Sequence, residues 1–224
     1  MNFLCHALPY LDQPVRAACT GVPDWLSVID RKIRARRKLA TPYLNSTDPL
    51  MAELASGIVC HIEDDQWFHG SELFTRLNLE FAVQLRQYLP GDEGFRPSFV
   101  GHVVIEMLLD GHYVLHQRQL VDRYYAVVDS LPAEKIQSRL NRITGKPTDR
   151  FAATIRRFVD LQFIYDYATD KGVLFRINQV LARVRLAPLP DTVLDWIAEV
   201  RTIVEQNHQP LLTPTDGPAI HPPI

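Results

Sequence analysis

Pro97-Ser98-Phe99-Val100-Gly101-His102-Val103-Val104-Ile105-Glu106-Met107-Leu108-Leu109-Asp110 is apolar nearly all the way round when wound as a helix. Phe99, Val100, Val103, Val104, Ile105, Met107, Leu108 and Leu109 cover its circumference, the pattern of a helix enclosed by protein. Pro97, just ahead of Ser98, is a start signal, because the first-turn N–H it lacks would have no helical partner. His102, Glu106 and Asp110 are the exceptions, and their spacing of four stacks them on one face. Burying an imidazole with carboxylates is costly unless a cation or a complete hydrogen-bond network compensates.

A second segment repeats the arrangement. Gly57-Ile58-Val59-Cys60-His61-Ile62-Glu63-Asp64-Asp65-Gln66-Trp67-Phe68-His69 places His61 and Asp65 four apart and His69 four further on. The helix begins near Asp48-Pro49, runs through Met51, Leu54 and Ile58, and has Gly70 as its stop. On it, Asp64 points about 100° away from Asp65, and Glu63 about 200° away. Two His-x3-carboxylate helices facing each other leave two readings: a metal site between core helices, or a buried hydrogen-bonded network that only specifies packing. Mixed imidazole and carboxylate ligands suit Mn²⁺, Fe²⁺ or Zn²⁺ better than Ca²⁺.

Other residues stand beside this set. His112 and His116 are again four apart, after Gly111, where the helix is expected to bend, and no carboxylate shares their face. They read as the lining of the site's mouth. Arg118 and Arg123 read as anion contacts or as exposed helix charges. His6 follows the apolar Phe3-Leu4. Asp24, in Gly21-Val22-Pro23-Asp24-Trp25, reads as a ligand or as the cap of a helix.

The remainder of the chain is helical in pattern. Phe74, Leu77, Phe81, Leu85 and Tyr88 form one stripe, and Val103, Met107, Val114 and Val121 belong to one or two helices. Ile155, Phe158 and Phe163 predict a helix ending near Asp170-Lys171-Gly172. Val173, Ile177, Val180, Leu181 and Val184 predict another, stopped before Pro188. Leu194, Ile197, Val200 and Val204 predict a last one, between Pro190-Asp191 and Pro210. Thr41-Pro42, Asp48-Pro49, Pro90-Gly91, Leu131-Pro132 and Gly145-Lys146-Pro147 read as boundaries. The expected architecture is a single all-α domain over residues 1–208, a bundle of about seven to nine helices. A Pro-rich tail at 209–224, with prolines at 210, 214, 218, 222 and 223, is expected to be extended or disordered.

Composition narrows the function classes. A net charge of −2 gives no overall reason to expect nucleic acid or an anionic membrane as partner. No apolar run approaches the length of a membrane span. Cys5, Cys19 and Cys60 have no pair spacing, so a disulfide framework is not expected. With no basic leader before Pro9, Asp12 and Pro14, the expected setting is the cytoplasm. Arg31-Lys32-Ile33-Arg34-Ala35-Arg36-Arg37-Lys38 is the local exception in charge. It reads as a solvated helix face, or as a patch where Arg34 and Arg37 receive an anionic substrate or an acidic protein.

Met1-Asn2-Phe3-Leu4-Cys5-His6, Gly21 through Asp24, Gly57 through Asp65 and His102 through Glu106 together resemble the acyl carrier protein phosphodiesterase (hydrolase) family. The resemblance covers roughly the first 130 residues. The order His6, Asp24, His61, Asp65, His69, His102, Glu106 is also similar to the ligand order of the zinc-dependent phospholipase C and P1 nuclease superfamily. Two departures from the carrier-protein hydrolases stand out: His102 where they have Asp, and Met107 where they have His.

Both resemblances imply an all-α hydrolase in which one or two divalent cations promote phosphodiester hydrolysis. They imply those seven residues as ligands, with Asp24 or Asp65 bridging metals or orienting the nucleophile. The first also implies removal of 4'-phosphopantetheine from acyl carrier protein, docked on the basic run. Two alternatives stand beside it: hydrolysis of a small phosphoester or nucleotide, and a non-catalytic helical protein with a buried polar network.

Overall fold

The structure, a computed structural model, describes residues 1–89 and 94–214. It is all-α, with no strand among the described residues. The helices are α1 (Phe3–Ala7), α2 (Pro14–Cys19), α3 (Val22–Ile29), α4 (Arg37–Ala40), α5 (Pro49–Gly70) and α6 (Glu72–Tyr88), followed by α7 (Pro97–His116), α8 (Arg118–Asp129), α9 (Ala133–Thr144), α10 (Phe151–Leu161), α11 (Asp170–Arg183) and α12 (Leu194–Leu211). This exceeds the expected number because α1 to α4 are only four to eight residues long. Such helices are too short to show a clear apolar period in sequence.

The described residues group into two compact units. The first comprises Met1, Phe3–Trp67 and Gln119–Gln162; the second comprises Asn2 and the described residues of Phe68–Arg118 and from Phe163 onward. In the first unit, Phe3 of α1, Trp25 of α3 and Phe158 of α10 form an aromatic core, with ring centroids 5.1 to 5.8 Å apart. Such contacts contribute beyond the area they bury. α5 starts where the boundary signal placed it. Asp48 Oδ1 accepts from the N–H groups of Leu50 and Met51 at 3.1 and 3.4 Å, satisfying donors that no helical carbonyl can reach. Its other oxygen accepts from Arg139 of α9 at 2.8 Å. Gly57 lets α5 close on α2: a Cβ there would lie 2.7 Å from the Cys19 carbonyl carbon.

In the second unit, α7 packs against α6, α12 and the 3₁₀ segment Phe163–Ala168. Its buried residues run from Pro97 to Val114, as its apolar circumference requires. Two small residues set the approach distances. A Cβ on Gly101 would meet Asn78 Oδ1 at 2.8 Å, and one on Gly111 would meet the Tyr167 carbonyl oxygen at 2.7 Å. Ser71 Oγ caps α6 by accepting from the Phe74 N–H at 3.2 Å.

Several boundaries differ from expectation. α7 runs through Gly111, the expected place of a bend, and continues to His116; the glycine admits the Tyr167 carbonyl. Asp170-Lys171-Gly172 opens α11 rather than closing the preceding helix. Thr169 Oγ1 accepts from the Gly172 N–H at 3.1 Å, a capping bond stronger as a signal than the glycine. α10 stops earlier, at Leu161. Gln209, Pro210 and Leu211, expected in the tail, form the last turn of α12. Leu211 and Leu212 are buried, so apolar burial extends the helix past the proline. Pro90-Gly91 and residues 215–224 of the expected tail lie outside the described residues. No described helix is long and apolar enough to cross a membrane.

Candidate metal centres

The polar residues of the apolar helices gather into three groups. In each, two imidazoles and one carboxylate bring ligand atoms within 4.8 Å of one another: His6, His61 and Asp65; His69, His102 and Glu106; His112, His116 and Glu205. Two nitrogens and one oxygen from the protein leave coordination positions for water or substrate.

The first group joins α1 to α5. Helical spacing places His61 and Asp65 together, and His61 Nε2 lies 3.3 Å from Asp65 Oδ2. His6 is fully buried. Its ring lies 4.1 Å from that of His61, and its Nε2 lies 3.2 Å from Asp65 Oδ1. The Met1 ammonium donates to Asp65 Oδ1 at 2.8 Å. Burial pushes the Asp65 carboxyl up, but His6, His61 and the ammonium outweigh it and hold the group well below the usual carboxylate range. For His6, burial favours the neutral ring, yet Asp64 and Asp65 raise the imidazole above its ordinary value.

Asp64, expected to point elsewhere, belongs to this group. It is buried, its Oδ2 lies 3.3 Å from His6 Nδ1, and its Oδ1 accepts from Trp67 Nε1 at 3.4 Å. A carboxylate on the far nitrogen of an imidazole fixes the ring's orientation and raises its basicity as a ligand. The clue in the sequence was the doublet Asp64-Asp65, whose two members face different neighbours. His61 Nδ1 is buried without a hydrogen-bond partner. That orphaned donor set fits a divalent cation of the Mn²⁺, Fe²⁺ or Zn²⁺ class.

The second group lies in the second unit. His69 Nε2 and His102 Nε2 converge on Glu106 Oε1, at 2.9 and 3.2 Å. Phe74 packs on both imidazoles, with centroids 5.0 Å away. Burial raises the Glu106 carboxyl, but the charge around it and the two histidines outweigh that and hold it well below the usual range.

Three expected site residues fall differently. Asp24 lies half-buried in the first turn of α3 and belongs to none of the three groups; Gly21, not Asp24, occupies the capping position. His112 and His116 do not join the first two groups but meet Glu205 of α12. Burial, reinforced by the His208 and His116 imidazoles, lowers the pKa of His112 to about 4. Arg118 lies over the Tyr165 ring at 4.5 Å. Arg123 donates to Asp12 and the Leu11 carbonyl at 2.6 and 3.1 Å.

The basic run is not a helix face. Ile33 and Ala35 point inward and are buried, while Arg34 and Arg36 alternate outward on extended chain, before Arg37 opens α4. Arg37 pairs with Glu63 at 2.7 Å. Arg31, Lys32, Arg34, Arg36 and Lys38 are exposed and have no ion-pair partner among the described residues. Comparison with family models, curated proteins and solved structures found no match.

Proposed function

We propose that the chain is a metal-dependent phosphodiester hydrolase whose substrate is the phosphopantetheine arm of an acyl carrier protein. The observation that carries the reading is the first group: two imidazoles, an ionised carboxylate and a second carboxylate behind His6. His6, His61 and Asp65 would hold one cation, and His69, His102 and Glu106 another. When bound, a divalent cation supplies Lewis acidity and makes a coordinated water acidic enough to act near neutral pH.

The chain's own groups have separable tasks. Asp64 orients His6 so that Nε2 faces Asp65. Asp65 and Glu106 remain ionised at neutral pH, since both carboxyls are held low. They can therefore serve as anionic ligands or orient a water. Five unpaired cations between Arg31 and Lys38 support a macromolecular acidic partner over a small phosphoester, since carrier proteins present an acidic surface and complementary charge speeds encounter.

Elemental analysis of purified wild type, His61→Ala and Glu106→Ala tests the metal. Loss of bound cation from each variant is expected, and full metal content in both refutes the reading. A parallel assay of generic phosphodiesters against phosphopantetheinylated carrier protein tests the substrate. Faster turnover of the generic esters sinks the carrier-protein assignment alone.

A further inference from the structure

The third group, on α7 and α12, has a third imidazole beside it, and its chemistry differs from that of the other two groups. His112 and His116 lie one turn apart at the end of α7, and Glu205 and His208 lie three apart on α12. Both spacings put their members on one helix face. The His112 ring lies 4.1 Å from that of His208, at 15°, and 4.5 Å from that of His116.

His112 is 6% exposed, and neither of its ring nitrogens has a hydrogen-bond partner. Buried polar atoms in folded proteins are nearly always satisfied, so an orphaned pair calls for an occupant. A stacked imidazole cannot supply the missing bond, because ring lone pairs lie in the ring plane. Glu205 has no ion-pair partner among the described residues. His208 Nδ1 lies 2.7 Å from the Glu205 carbonyl oxygen. A carbonyl oxygen can only accept, so that contact places the His208 proton on Nδ1.

We propose that His112, His116 and Glu205 form a separate zinc site joining α7 to α12, with the His208 ring stacked on His112 beside it. Two imidazoles and one carboxylate match the preference of Zn²⁺, and of Cu²⁺ or Ni²⁺, over the oxygen-seeking Mg²⁺ and Ca²⁺. His116 is exposed while His112 is buried, so the site opens to solvent at the helix end and a cation can enter without unfolding. Its role is to tie α7 to α12, which pack against each other. It shares no residue with the groups assigned to hydrolysis.

The test counts zinc on the full-length chain. Wild type, His116→Ala and Glu205→Gln are stripped with chelator, exposed to excess Zn²⁺, desalted and analysed for metal. His116 is solvent-facing and Gln is nearly isosteric with Glu, so helical content by circular dichroism should match wild type. Each variant is expected to retain one zinc equivalent fewer than wild type and to lose part of the zinc-induced rise in Tm. Equal zinc in all three proteins overturns the site. Because the residues are distinct, this outcome is independent of metal loss in His61→Ala or Glu106→Ala.

Discussion

Asp64 Oδ2 lies 3.3 Å from His6 Nδ1, across 58 positions of sequence. The bond turns a residue expected to lie off the helical stripe into the group that sets how His6 faces Asp65. It joins a helix of five residues to one of twenty-two, and it makes the first group dependent on tertiary packing.

Asp64→Asn should therefore weaken metal binding while leaving the ligand atoms of His6, His61 and Asp65 in place. Loss of an outer carboxylate typically costs about 10–100-fold in affinity. Titration of chelator-stripped protein with Zn²⁺ or Mn²⁺ checks this. Affinity equal to wild type would show that Asp64 plays only a packing role.

The metal-free protein should depend on pH through Asp65 and His6 in opposite senses. Asp65 has a depressed folded pKa, so its contribution is present above the unfolded value of about 3.9 and fades as pH falls below it. His6 has a raised folded pKa, so its contribution is full below about 6.5 and declines as pH rises through the folded value. The stability difference between wild type and Asp65→Asn should thus be greatest between about pH 4 and 6.5. Denaturant midpoints with chelator present measure it, and a difference that grows below pH 4 contradicts the pairing.

Gly57→Ala separates helix propensity from packing. In an open helix the change would stabilise by about 1 kcal/mol. Here the new methyl meets the Cys19 carbonyl carbon and the Arg16 carbonyl oxygen at 2.7 and 2.8 Å. Backbone cannot swing aside, so a net loss of about 1–3 kcal/mol is expected. A stabilised variant in urea unfolding would mean that α5 and α2 are further apart.

Ser71→Ala removes the acceptor for the Phe74 N–H. The expected cost is about 1 kcal/mol, read as a lower urea midpoint with an unchanged slope. No change in midpoint would show the cap to be dispensable.

Replacing Arg34 and Arg36 with Glu should raise KM for phosphopantetheinylated carrier protein and flatten its salt dependence, with kcat little altered. Both side chains are exposed and neither touches a metal group, so rate of encounter is the expected target. A fall in kcat with KM unchanged would place the run in the chemistry instead.

Sequence alone determined the elements that local chemistry governs. The apolar circumference of 97–110 and Pro97 predict α7, and the Asp48-Pro49 boundary predicts the start of α5. The spacing of four predicts that His61 meets Asp65 and that His102 meets Glu106. These relations hold within one helix, where the 3.6-residue period decides which side chains are neighbours. Only the tertiary structure decided which helices supply the remaining ligands. It brought His6 to Asp65, drew Asp64 in behind it, and left Asp24 outside the three groups. It also sent His112 and His116 to Glu205 and His208, ninety or so residues away. Periodicity assigns a residue to a face; what that face meets depends on close approaches such as Gly101 with Asn78 and Gly111 with Tyr167, which no local pattern encodes.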